Sequence, residues 1–176
     1  MNTVQLLHKQ TEDTYRWVHK LIDTVPDTEW FKTPDELNTN IAWQVGHLVI
    51  SLYYHTVLVI KGHQSDIMQQ IPLRNYSEHY TFAGTPKDIV TIFTPEELKN
   101  HLTIIEKKSL QIINELSIDE LSEGLVPGKM EHPVAQNKLE AINWNIQHTM
   151  WHCGQLAMLK RVLGDPYTFT IKKTGK

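Results

Sequence analysis

Four long segments of the chain carry apolar residues at helical spacing, and they constrain the fold more than any other feature of the sequence. Their apolar residues recur at three- and four-residue intervals, which places them on one side of a helix. The segments cover residues 3–25, 41–61, 94–116 and 137–163. Because a helix with one apolar stripe must cover it against another element, these four segments favour packing against one another. The sequence therefore predicts an all-α protein, a four-helix bundle with a long connection between helices 2 and 3.

Helix start signals support these boundaries. A capping residue followed three positions later by Glu marks the first turn of a helix, and it occurs at Thr94–Glu97, Ser117–Glu120 and Asn137–Glu140. Pro95 directly after Thr94 strengthens the first of these pairs, because proline is favoured at the first helical position. The pair at Ser117 predicts a short extra helical turn between the third and fourth helices.

The connection over residues 63–93 contains Pro72, Gly84 and Pro86 and has no sustained periodicity. Connections of roughly thirty residues are uncommon unless they have a function. We expect this segment either to cover the mouth of a site or to carry the chain along the bundle. Its candidates for substrate contacts are Tyr76, His79 and Tyr80. Beyond the last helix, residues 167–171 alternate in the manner of a short extended segment.

Composition narrows the class of protein. The 176 residues are 40% hydrophobic with no internal shift in composition, which predicts a single domain over residues 1–176. The net charge is −3, and the absence of a dense basic block before the last five residues argues against nucleic acid as a partner. Cys153 is the only cysteine, so no internal disulfide can form. With neither a signal-like start nor a long uninterrupted apolar run, we expect a soluble, cytoplasmic protein with no membrane contact.

Histidine spacing suggests a metal site. His148 and His152 lie four residues apart in the last helical segment, so their rings leave the same face about 6 Å apart. Ten histidines make such a spacing common by chance, and a third ligand is needed. His47 lies about two turns into the second segment, at a depth that can meet the pair. Three neutral imidazoles would suit divalent Zn, Ni, Fe or Co.

Other histidines and the cysteine are interpreted differently. Histidines on amphipathic helices are mostly surface residues, and we predict that His8, His19 and His101 are not ligands. We predict the same of His132, in the connection before the last helix. Cys153 points away from His152 on the helix, and we interpret it as a small buried packing residue.

A wider set of motifs surrounds the histidines. It comprises Ile41-Ala42-Trp43-Gln44-Val45-Gly46-His47-Leu48, Asn137-x-x-Glu140, His148-x-x-x-His152-x-Gly154-Gln155 and Leu163-Gly164-Asp165-Pro166. With these motifs in matching helical order, the chain resembles the DinB-like (YfiT-like) metalloenzymes over nearly its whole length. The resemblance implies a four-helix bundle, a homodimer, and one divalent ion bound by His47, His148 and His152. Zinc or nickel is expected first, with Fe, Co or Mn as alternatives.

The resemblance also implies a chemistry. Family members of known activity include metal-dependent thiol transferases and a thiol-dependent isomerase, so a small-molecule substrate and a low-molecular-weight thiol are expected partners. The sequence departs from the family at Thr149, where an acidic residue is common, and at Cys153, where many members have Arg. Thr149 also argues against a zinc protease, whose His-Glu-x-x-His helix needs Glu after the first ligand.

Two functions remain open at this stage. The protein is either a metal-dependent enzyme of the thiol S-transferase or hydrolase type, or a non-catalytic metal-binding or stress-related interaction module. An enzyme needs a polar lining near the ligands, for which the candidates are Ser51, Tyr54, His55, Asn145 and Gln155. The second function would be favoured if large side chains closed the metal off from solvent, and the candidates for this are Trp43, Trp144 and Trp151.

Overall fold

A computed structural model of the chain describes residues 1–81, 84–86, 92–128 and 131–169. Within these ranges the regular secondary structure is helical, and the only strand-like pairing is an isolated bridge between Gly124 and Asn137. The helices are α1 (Thr3–Ile22), α2 (Ile41–Leu52), α3 (Val59–Lys61), α4 (Ser65–Gln70), α5 (Leu73–His79), α6 (Pro95–Glu115) and α7 (Lys138–Val162). The predicted all-α class is confirmed.

The long helices share one hydrophobic core. α1 packs against α6 and α7, and α2 packs against the same two helices. Each helix contributes fully buried apolar residues, among them Val18, Leu48, Leu102 and Leu156. The predicted apolar stripes therefore meet, while the detailed topology of a four-helix bundle stays a prediction.

The second predicted helix is not regular over its whole length. After α2 the residues Tyr53–Leu58 form a π-helix, in which the N–H of Val59 donates to the carbonyl of Tyr54. The side chain of Thr56 donates to the carbonyl of Leu52, 2.6 Å away. A π-helical stretch contains an extra residue in the turn and is frequently found at functional sites. It changes which side chains of this helix face α7.

The connection between α3 and α6 is more ordered than the sequence indicated, because α4 and α5 lie within it. The side chains of Tyr76 and Tyr80 are fully buried and stack with the ring of Phe93. The hydroxyl of Tyr76 also bonds to Nδ1 of His101 at 2.7 Å. These tyrosines are thus core residues, and the expectation that their side chains contact substrate is not met. Residues 82–83 and 87–91 of this connection lie outside the described residues.

Helix ends follow the predicted signals with one difference. Thr94 and Glu97 form a capping box, Ser117 and Glu120 exchange the equivalent bonds, and Asn137 caps α7. The predicted extra turn is a short 3-10 helix, Asp119–Ser122. α1 ends at Ile22, three residues before the predicted end. In the C-terminal segment Tyr167 and Phe169 contact the ring of Trp17, and residues 170–171 lie outside the described residues.

One helical stretch, Ile41–Lys61, is long and apolar enough to cross a membrane by length and composition alone. Most of it is buried in the protein, where α6 and α7 cover it. This burial is what the core helix of a soluble domain shows, so the stretch is weak evidence for a membrane span.

The capping box at Thr94 provides a test of the fold. Replacement Thr94→Ala removes the side-chain acceptor for the Glu97 N–H, and we expect a loss of about 1 kcal/mol in the free energy of unfolding. Thr94→Ser keeps the hydroxyl and should stay near the wild-type value. Chemical denaturation of the three proteins measures the difference, and equal stabilities would contradict the assigned start of α6.

Candidate metal centre

His47 on α2 and His148 and His152 on α7 meet between the two helices. Each of the three rings offers one nitrogen, and these nitrogens all lie within 4.8 Å of one another. The Nε2 atoms of His148 and His152 are 3.2 Å apart. Ligands at about 2.1 Å from a tetrahedral zinc ion are separated by roughly 3.4 Å, so the spacing of this pair suits one ion.

His47 is oriented by the backbone of the segment that follows α5. Its Nδ1 donates to the carbonyl oxygen of Tyr80 at 2.8 Å. This approach is possible because residue 46 is glycine: a Cβ at Gly46 would overlap the Tyr80 ring. The ring of Trp43 stacks on His47 with 5.0 Å between centroids. The absence of a side chain at Gly46 therefore leaves room for Tyr80, whose carbonyl orients the His47 ring.

His152 is oriented by Gln44, which lies in the α2 motif around His47 and for which the sequence predicts no role. Nδ1 of His152 donates to Oε1 of Gln44 at 2.5 Å. The amide nitrogen of Gln44 donates to Thr39 Oγ1 at 2.8 Å and to Gln155 Oε1 at 2.7 Å. Because both amide hydrogens have acceptors, the carbonyl end of Gln44 is fixed toward His152. Gln44 is fully buried in an apolar helix, which indicates a structural role, and this burial cannot be read from the sequence.

His148 has an adaptable partner. Its Nδ1 lies 3.0 Å from the hydroxyl of Ser51, which lies one turn after His47 on α2. A serine hydroxyl can either accept or donate, so Ser51 can satisfy both neutral forms of the His148 ring. The candidate lining residue Ser51 is therefore at the site.

These partners decide which ring nitrogens carry lone pairs. Carbonyl oxygens only accept, so Nδ1 of His47 and of His152 carries the hydrogen and Nε2 carries the lone pair. Hydrogen bonding of one nitrogen to a carbonyl is how proteins fix the tautomer of a metal-binding histidine. The hydroxyl of Ser51 lets His148 adopt the same tautomer. The residues present therefore fit a divalent ion.

Burial keeps the three rings neutral. It lowers the pKa of His47, and together with the charge of His47 it lowers the pKa of His148 to about 4. Burial and the neighbouring His47 and His148 lower the pKa of His152 to about 2. All three rings are therefore unprotonated at neutral pH, which is the state that binds metal.

A second histidine pair lies next to this group. Nδ1 of His55, in the π-helical stretch, is 2.7 Å from Nε2 of His132. Nδ1 of His132 accepts the backbone N–H groups of Ala135 at 2.8 Å and Val134 at 3.2 Å. The His55 ring meets the His148 ring edge-on at 5.6 Å, and burial with the nearby His132 lowers the pKa of His55 to about 2.

The remaining predicted lining residues divide into two groups. Gln155 is at the site through Gln44, and Tyr54 stacks on His132 at 5.4 Å. Asn145 is not at the site: its amide donates to the hydroxyl of Tyr15 in the core next to α1. Its position on α7 was compatible with either face, and only the packing of α1 decides which.

The tryptophans cover the group only partly. Trp144 stacks on His148 at 5.7 Å, in the way that Trp43 stacks on His47. Trp151 is 66% exposed and lies edge-on to Trp144 rather than over the histidines. His148 keeps intermediate exposure between these rings, so solvent reaches the group from its side.

The other histidines and the cysteine have separate environments. His19 bonds to Glu106 at 2.7 Å, His101 bonds to Tyr76, and His132 bonds to His55. Among the described residues, His47, His148 and His152 form the one group of three side chains spaced for an ion. Cys153 is buried, and burial raises the pKa of its thiol to about 12, in agreement with its interpretation as a packing residue.

Two cavities lie next to different residues around the centre. One, of about 1260 Å³, lies between the π-helical stretch and residues 124–128 and 131–136, and its wall includes Tyr54 and His132. The other, of about 480 Å³, is lined in part by Gln44 and Gln155. The lining of neither includes the three histidines. The smaller cavity adjoins them through Gln44, which bonds to His152, and the larger adjoins them through His132, whose partner His55 contacts His148.

The fold and this geometry define an all-α protein with a three-histidine group that could hold a divalent metal ion. The sequence model of the DinB superfamily matches residues 7–156, a range that contains all three histidines. The chain therefore belongs to the DinB superfamily, and the resemblance seen in its motifs is confirmed.

Comparison with structures supports the fold. The crystal structure of a conserved protein from Enterococcus faecalis superposes with a TM-score of 0.68 over 92% of this chain and 97% of that chain. The two sequences are 15% identical, so this similarity concerns the fold alone. Comparison with curated proteins gives no significant match.

Gly46 tests the approach of Tyr80 to α2. Replacement Gly46→Ala forces the Tyr80 ring away, and we expect a loss of about 1–3 kcal/mol in the free energy of unfolding together with weaker metal binding. Gly154→Ala is the matched control, because a Cβ there meets nothing within 4 Å and it lies close to His152 on α7. Thermal unfolding and metal titration measure both effects. Similar behaviour of the two variants would contradict the role of Gly46.

Gln44 tests the orientation of His152. Replacement Gln44→Met keeps the size of the side chain and removes the acceptor, and we expect a 10- to 100-fold loss in metal affinity. Gln155→Met, which leaves the carbonyl of Gln44 in contact with His152, should cause a smaller loss. Competition with a chelator measures both affinities, and an unchanged affinity in Gln44→Met would rule out this role.

Proposed function

We propose that the protein is a metal-dependent enzyme that binds one divalent ion through His47, His148 and His152. The observation that carries this proposal is the orientation of the rings. Tyr80 and Gln44 leave lone pairs on Nε2 of His47 and of His152, and one nitrogen from each of the three rings lies within 4.8 Å of the others. Without an ion, Nε2 of His148 can donate to Nε2 of His152 at 3.2 Å; with the other tautomer, which Ser51 also satisfies, its lone pair can bind the same cation. Zinc or nickel is the expected ion, with Fe, Co or Mn as alternatives.

The proposed chemistry is transfer of a thiol to a small electrophilic substrate. A divalent ion held by three histidines supplies Lewis acidity, which lowers the pKa of a bound thiol or water. An ion held by these three histidines would keep a coordination position for a water or thiol ligand, as catalytic zinc sites do. Access past the partly exposed ring of His148 allows a small molecule to reach them.

We favour thiol transfer over hydrolysis because the motifs around the histidines resemble those of a family that includes metal-dependent thiol transferases. An ion held by three histidines would lower the pKa of a bound thiol and also that of bound water. Hydrolysis of an ester or amide is the competing reaction, and it would show no requirement for a thiol.

The stacking of Trp43 on His47 and of Trp144 on His148 favours the second candidate, a metal-binding or stress-related interaction module without turnover. These rings cover two of the three ligands. In that case metal would bind with no exchangeable ligand. The homodimer and the cytoplasmic location implied at the sequence level stay predictions.

Metal content tests the ligand set. We expect about one divalent ion per chain after purification, and His148→Ala or His152→Ala should lose most of it because the remaining rings cannot complete a three-nitrogen set. His47→Ala should lose its ion under challenge with a chelator. The control is His63→Ala, since His63 is exposed and bonds to Tyr53 away from the centre. Elemental analysis provides the measurement, and full occupancy in His47→Ala would remove α2 as a source of ligand.

Thiol binding tests the chemistry. In cobalt-substituted protein, a low-molecular-weight thiol should produce a sulfur-to-metal charge-transfer band and release one proton for each thiol bound. The same thiol should be consumed with an epoxide or an activated halide only when metal is present. Ester hydrolysis without a thiol would support the hydrolase, and absence of both reactions with no change in the cobalt spectrum would support the binding module.

A further inference from the structure

The pair His55–His132 has no part in the proposed ligand set, yet it lies against it. His55 is 7% exposed, and its ring contacts His148 and Trp144 of α7. His132 lies in the segment between α6 and α7, where it lines the larger cavity. The pair thus connects that cavity to the candidate metal centre.

Hydrogen-bond direction assigns the protons of the pair. Backbone N–H groups can only donate, so Nδ1 of His132 has a lone pair directed at Val134 and Ala135. The hydrogen of the His132 ring is therefore on Nε2, which donates to Nδ1 of His55. Since that Nδ1 is an acceptor, the hydrogen of His55 must be on Nε2. This is the opposite tautomer from that of His47 and His152.

The Nε2–H group of His55 is left to interact with something else. The two nitrogens of an imidazole point in nearly opposite directions, so Nε2 faces away from His132. It has no hydrogen-bond partner among the described residues, and it is not one of the fully buried unpaired atoms. This donor keeps some contact with solvent in a ring whose centroid lies 5.6 Å from that of His148, so it is a candidate site for an acceptor atom of a ligand.

We propose that His55 donates a hydrogen bond to a negatively charged oxygen, or another anionic atom, of a ligand at the metal centre. His132 is the positioning residue that fixes the donor tautomer. None of the four nitrogens of the pair has an unused lone pair, so the pair cannot act as a general base. It can stabilise negative charge, as a donor of an oxyanion hole does.

This inference rests on the proposed function where it names a substrate class. The fitting substrate is an electrophile whose oxygen gains negative charge on attack by a thiol, such as an epoxide. The sulfur forms a bond to carbon, the carbon–oxygen bond breaks, and its electron pair moves to oxygen. His55 donates to that oxygen, which then takes from solvent the proton that the thiol released.

The first experiment reads the tautomers and needs no metal. Nitrogen-15 NMR of histidine-labelled, metal-free protein should show the hydrogen on Nε2 in both His55 and His132. His132→Gln, whose amide N–H can donate to the same atom, should retain this form of His55, and His132→Phe should give a mixture. A hydrogen on Nδ1 of His55 in the wild-type protein would overturn the proposal.

The second experiment measures binding of an anion, with azide as the probe of the cobalt-loaded protein. His55→Phe should raise the azide dissociation constant by roughly tenfold to a hundredfold, the effect of a hydrogen bond to a charged group. His55→Gln retains a donor and should lie closer to wild type, and His63→Phe is the control. Metal content should be the same in all four proteins.

An azide affinity in folded His55→Phe equal to that of wild type would overturn the donor role. Failure of the wild-type protein to bind cobalt would contradict the proposed metal centre instead. The tautomer measurement would still decide the assignment of the pair, so the two failures can be told apart.

Discussion

The hydrogen bond from His152 to Gln44 is the interaction on which the geometry of the centre depends. It joins α7 to α2 through two fully or nearly buried side chains, and a buried polar group left without a partner costs about 1–3 kcal/mol. Gln44 is itself held by Thr39 and Gln155, so its carbonyl cannot rotate away. A shift of α7 along α2 would break this bond. The bond therefore stabilises the register of the two helices in which His47 lies next to His148 and His152.

The irregular parts of the fold complete the site. Tyr80, in the segment after α5, supplies a backbone carbonyl to His47, and the glycine at position 46 makes room for it. The π-helical stretch Tyr53–Leu58 brings His55 against His148 and His132. The long helices α2 and α7 carry the three histidines of the centre. The segment after α5 orients the His47 ring, and the π-helical stretch positions the His55 ring.

The polarity of the hydrogen bonds gives the four central rings different roles. Carbonyl acceptors leave lone pairs on Nε2 of His47 and His152, whereas the backbone donors to His132 fix a tautomer of the pair in which His55 carries its hydrogen on Nε2. His148 is held by a hydroxyl that can satisfy either tautomer. Burial keeps all four rings neutral, so their roles follow from the tautomer and not from charge.

The sequence by itself determined the helices and the three histidines that meet. Periodic apolar residues and the caps at Thr94, Ser117 and Asn137 depend on neighbours within four positions, so they can be read without the fold. The spacing of His148 and His152 is equally local, and the motif around His47 added the third member.

Only the tertiary structure decided what surrounds them. Gln44 belongs to the motif around His47, but its bond to His152 joins residues 108 positions apart, and Tyr80 acts on His47 through a backbone carbonyl; neither contact can be inferred from local spacing. Asn145 faces Tyr15 instead of the centre, and the side chains of Tyr76 and Tyr80 enter the core. The pairing of His55 with His132 joins residues 77 positions apart. Local propensity fixes which residues share a helix face, but the direction of a hydrogen bond between helices is set by how those faces pack.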